Sequence, residues 1–64
     1  MNIKFKDFMD GYDNWNGRTR VNNDNLETIV EDKTLNIMEN REDLFDREVV
    51  AFGFIDNVLC VRVK

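Results

Sequence analysis

Hydrophobic positions follow a period of two most clearly at the C-terminal end. Val49 to Ile55 and Val58 to Val63 are β-rich runs separated by Asp56-Asn57. A two-residue loop needs left-handed backbone, which Asp and Asn adopt without glycine, and so predicts a hairpin of fixed register. Ile55 then faces Val58, Phe54 faces Leu59, Phe52 faces Val61 and Val50 faces Val63. One face of this ribbon is Val50, Phe52, Phe54, Leu59, Val61 and Val63, all apolar, and is expected to be the core with a helix lying across it. The other face, Val49, Ala51, Gly53, Ile55, Val58, Cys60 and Arg62, is smaller and mixed.

Upstream, Phe5, Phe8, Met9 and Tyr12 stand at i, i+3, i+4 and i+7, one apolar side of a two-turn helix. Asp13 to Gly17 reads as a turn. Thr19 to Asn22 and Leu26 to Glu31, joined through Asn22-Asn23-Asp24-Asn25, predict a first hairpin. Lys33 to Arg47 is expected to be the main helix, lined by Leu35, Met38, Leu44 and Phe45, with Thr34 or Asp32 as its cap. Asn40 is a poor helix former in its middle, so a helix followed by a short helical turn is also allowed. The expected fold is one α+β domain over 1–64. About four antiparallel strands in two hairpins pack on one main helix, with a short N-terminal helix besides.

Length sharpens this picture. A domain of 64 residues buries a modest fraction of its surface, and such small scaffolds lean on a disulfide, a metal or a partner subunit. One Cys and no His leave no internal disulfide and no tetrahedral zinc set, so association is raised as an expectation. No apolar run approaches the ~20 residues of a membrane helix, and no apolar segment follows Lys4 and Lys6 as a secretory signal requires. The lone Cys makes a reducing cytoplasm the expected compartment.

The net charge of −4 disfavours direct binding of nucleic acid. Residues 31–48 hold seven acids against three bases, so the acidity is concentrated there. Catalytic chemistry is hard to assemble: there is no Ser, no His base, and Gly11, Gly17 and Gly53 are isolated. No calcium loop fits around Gly17, no cofactor is implied, and paired carboxylates would need a cleft that so short a chain rarely forms. A non-enzymatic protein is expected.

Two features are candidate protein-binding sites. Trp15, on a polar turn, is either an interface anchor or a ring folded back to close the core, and the second reading is favoured. Glu39, Glu42, Asp43 and Asp46 would share one stripe if residues 33–47 were a single helix. Such a stripe can imitate phosphates and occupy a basic groove on another protein. The other reading, a solvated face that keeps the chain soluble, is favoured for the stripe taken alone, since Arg41 and Arg47 interrupt the field.

The segment Asp46-Arg47-Glu48-Val49-Val50, followed by the Asp56-Asn57 hairpin and ending in Leu59-Cys60-Val61-Arg62-Val63, resembles the tail of small uncharacterised accessory proteins of phages and mobile elements of low-GC Gram-positive bacteria. The resemblance covers about the last third of the chain and brings no catalytic or binding residues with it. It implies an accessory protein acting in the host cytoplasm. Such proteins often bind and block a host factor, including CRISPR and restriction nucleases. The expected partner is therefore a host protein with a basic surface. The rival reading is a structural homo-oligomer, joined through the edge of the C-terminal hairpin or through its mixed face, where Gly53 and Cys60 permit close approach.

Overall fold

The computed structural model describes residues 2–64. Its elements are β1 (Ile3–Lys4), α1 (Phe5–Asp10), β2 (Arg18–Asn22), β3 (Thr28–Lys33), α2 (Thr34–Asn40), a 3₁₀ turn at Glu42–Leu44, β4 (Glu48–Ile55) and β5 (Val58–Val63). The class is α+β, with two corrections to the expected sheet. It has five strands in the order β1-β4-β5-β2-β3, and the central β2–β5 pair is parallel. The fifth strand is two residues long, too short to carry any periodicity. The parallel pair arises because the chain crosses through the helix layer between β3 and β4, returning β5 alongside β2.

Both helices cover one face of the sheet. Phe5 and Met9 from α1, Ile37 and Met38 from α2 and Leu44 from the 3₁₀ turn pack in one cluster with Val21, Val49, Leu59, Val61 and Val63. The C-terminal hairpin turns where expected, with Asp56 and Asn57 at φ of 50° and 66°. Its register also follows expectation from Ile55↔Val58 to Phe52↔Val61. Beyond that a bulge intervenes, so that Val63 faces Val49 and not Val50. The extra residue inverts the alternation, and Val49 takes the core place expected for Val50.

Phe52 and Phe54 also depart from expectation. They share the helix-side face with buried Val61 and Leu59, yet stand 52% and 58% exposed. The helix layer ends before reaching them. Phe8 touches Phe52, with ring centroids 4.9 Å apart, and Tyr12 approaches Phe54 at 6.2 Å; the far sides of both rings face solvent. The core lies over β5, β2 and the first residues of β4.

Of the two readings allowed for residues 33–47, the broken one is found. Arg41, at φ −119° and ψ 58°, separates α2 from the 3₁₀ turn, and the Asn40 side chain donates to the Asn36 carbonyl at 2.9 Å. Neither expected residue caps α2 through its side chain. Its first amides, on Thr34 and Leu35, donate to the Gly17 and Trp15 carbonyls at 2.9 and 3.0 Å. Asp32 instead accepts from the Lys33 amide and the Asn36 side chain. Among the described residues no helix is long and apolar enough to cross a membrane.

Thr34 does a further job. Its hydroxyl donates to the Gly17 carbonyl at 3.1 Å and meets the buried Thr19 hydroxyl at 2.6 Å, so Thr19 is the donor between the two. This pair ties α2 to the central strand where no water can substitute. Thr34→Val alone is expected to cost about 1–3 kcal/mol, because it strands the buried Thr19 hydroxyl, and Thr19→Val alone about 1 kcal/mol, because the Thr34 hydroxyl keeps the Gly17 carbonyl. The double variant should cost clearly less than the two together, as a denaturant double-mutant cycle will read.

Candidate functional site

The carboxylates named from the sequence do not form one helical stripe. Glu39 lies on α2, Glu42 and Asp43 on the 3₁₀ turn and Asp46 in the loop before β4, with the Arg41 break between the first and the rest. All four are exposed. Asp43 receives both guanidinium bonds of Arg41, each at 2.9 Å, and these hold its carboxyl below its ordinary value of 3.8. Asp46 lies 3.5 Å from Lys4. Glu39 and Glu42 are the members most open to an outside cation; exposed pairs like those of Asp43 and Asp46 exchange partners at little cost.

Trp15 is half-buried against the core, and its indole N–H donates to the Met9 carbonyl at 3.1 Å. The ring thus fastens the 13–17 turn onto the end of α1 and spends its polar handle internally. This placement matches the favoured reading of Trp15 as a closing ring, and the fold does not bring it into the acidic group.

Large apolar side chains stand exposed elsewhere. Phe52, Phe54 and Ile55 on β4 and Leu26 in the β2–β3 turn are all more than half exposed. Sequence reasoning missed three of these as a surface because it assigned the β4 aromatics to the core and Ile55 to a merely mixed face. One signal was available: Val49 to Ile55 is uncharged along its whole length.

β4 pairs with β5 on one side, and its other edge is covered only at its start. β1 pairs only with Glu48 and Val49, so among the described residues the outer edge of β4 beyond the bulge has no neighbour. The opposite edge of the sheet, β3, is guarded by Glu31, Asp32 and Lys33 and by a register shift near Asn22.

The face of the sheet away from the helices carries Arg18, Arg20 and Arg62, in register with Val58, Cys60 and Asn22. Arg20 binds Glu31 at 2.7 Å and Arg18 approaches it at 3.5 Å; the Arg20 bond holds the Glu31 carboxyl below 4.5. A hollow of about 210 Å³ lies here among Leu26, Ala51, Ile55, Cys60 and Arg62. It falls short of the ~300 Å³ typical of small-molecule sites. Among the described residues no group of three or more Cys, Asp or Glu is placed to hold a metal ion.

Two rings separate structural from surface aromatics. Trp15→Ala is expected to lower stability by about 2–3 kcal/mol, since it opens the core and removes the indole bond to the Met9 carbonyl. Phe54→Ala should cost under about 1 kcal/mol, because most of that ring already faces water. Thermal or denaturant unfolding of the two variants measures the difference. No family model, no curated protein and no solved structure matches the chain.

Proposed function

We propose that the chain is a non-enzymatic, acidic protein-binding module of the phage accessory type, which binds a basic surface on a host protein and inhibits or modulates it. The observation that carries this reading is where the charge sits. The helix layer, residues 5–17 and 34–47, holds seven acids (Asp7, Asp10, Asp13, Glu39, Glu42, Asp43 and Asp46) against Lys6, Arg41 and Arg47. The strands and their turns hold six of each sign. The whole net charge of −4 therefore belongs to one side of the sheet, although the acids are far apart in sequence.

A one-sided field of this kind orients the molecule toward a cationic surface and speeds encounter. It also accommodates the broken helix: a groove that binds phosphates reads charge at several points and does not require an unbroken stripe. The small, largely apolar hollow on the other face supports a binding role over chemistry on a small substrate. A host nuclease, whose substrate groove is basic, is the kind of target that fits.

The test is capture of host proteins on the immobilised chain. Glu39→Lys with Glu42→Lys should abolish retention of the specific partner without changing the fold. Raising salt from about 0.1 M to about 1 M shortens the screening length from ~10 to ~3 Å and should release it. Retention unchanged by both the substitutions and the salt would refute an electrostatic mode of binding.

A further inference from the structure

The free edge of β4 supports an inference independent of the charge reading. Past the bulge at Val50, five residues remain before the turn: Ala51, Phe52, Gly53, Phe54 and Ile55. A two-residue turn makes the residues flanking it, Ile55 and Val58, a hydrogen-bonded pair. By alternation Ile55, Gly53 and Ala51 then spend their backbone groups on β5. Phe54 and Phe52 direct theirs outward, to the edge that β1 leaves open.

We infer that two copies of the chain pair antiparallel through this edge, on a two-fold axis through Gly53 normal to the sheet. The geometry allows little else. With the axis normal to the sheet, both helix layers stay on one side, and a five-residue run pairing with itself centres on its middle member. Phe52 of each copy then opposes Phe54 of the other, and these are the residues whose N–H and C=O groups point away from β5 and have no strand partner among the described residues. Two such pairs make four backbone hydrogen bonds.

The side chains agree with the register. On the helix side, Phe8 and Phe52 of one copy continue into Phe54 and Tyr12 of the second, extending two aromatic contacts already present in each chain. On the other side, Ile55 meets Ala51, and the two Gly53 residues meet at the axis with no side chain to obstruct them. The occupant is argued from charge as well. The run carries none, so the paired strands themselves place no acid against acid. Past the Val50 bulge this edge carries no charge to oppose the addition of a strand. A five-residue run with the rings beside it is well short of the roughly 20–30 residues a side of a standard interface, so dissociation in the micromolar range or weaker is expected.

Sedimentation equilibrium of the full chain from about 10 µM to about 1 mM should show a monomer–dimer equilibrium and nothing larger, because dimerisation consumes the edge. Phe54→Lys should weaken the dimer about tenfold or more while lowering the melting temperature of the monomer by only a few degrees, since most of the ring is exposed. A second variant reads the register without weakening the contact. A Cβ at Gly53 would meet nothing within 4 Å, so Gly53→Cys is tolerated; Cys60, which faces it across β4–β5, is first removed as Cys60→Ala.

Under oxidised glutathione, Gly53→Cys should give a disulfide dimer, the two Cα atoms lying about 4.5 Å apart at the axis. Ile55→Cys in the same background should not, its two copies lying ~13 Å apart. A chain that stays monomeric throughout that range, a dimer indifferent to Phe54→Lys, or cross-linking at Ile55→Cys equal to that at Gly53→Cys would each overturn the inference. Strand addition by a different protein is the reading left if the chain is monomeric.

Discussion

Short helices facing long strands set the form of this molecule. α1 has six residues and α2 seven, so they run about 9 and 10 Å. β4 has eight residues and runs about 23 Å. A layer of that size shields the central strands and the start of β4, and it leaves the distal half of β4 outside. The buried cluster, the exposed aromatics and the open edge all follow from this mismatch. Thr19 and Thr34 fix where the short layer sits, and Trp15 and Gly17 hold the start of α2 by their carbonyls, in place of a side-chain cap.

Local chemistry was legible in the sequence to the extent that it was local. Asp56-Asn57 announced its turn because both residues tolerate positive φ, and the hairpin register up to Phe52 followed from it. The spacing of Phe5, Phe8, Met9 and Tyr12 announced α1. Three features were out of reach for a physical reason. The Val50 bulge depends on where β1 and β5 meet β4. The parallel β2–β5 pair depends on a crossover that leaves no mark on either strand. The exposure of Phe52 and Phe54 depends on how far a layer contributed by other segments extends. A strand's apolar face shows which side seeks cover, and the rest of the chain decides how much cover there is.

The candidate surfaces divide in the same way. The acids of residues 39–46 were visible as a composition, but their arrangement hinges on Arg41, whose backbone breaks the helix and whose guanidinium engages Asp43. Trp15 was visible as a large ring on a polar turn, and its partner, the Met9 carbonyl, was not. What emerges is a molecule with two kinds of unmet demand. An anionic helix side is felt at a distance and is screened by salt, while an apolar strand edge acts only at contact and is strengthened by salt. The two lie on different parts of the surface, so a self-associated pair would still present both acidic sides outward for another protein.

The central claim, that the distal half of β4 lies beyond its cover, is tested most directly by amide hydrogen exchange on dilute, monomeric protein. The account predicts an alternation within one strand: the Phe52 and Phe54 amides exchange freely, while those of Gly53 and Ile55, bonded to β5, are slowed along with the core amide of Val61. Equal, strong protection at Phe52, Gly53, Phe54 and Ile55 in the monomer would show that the edge is covered, and would contradict the account.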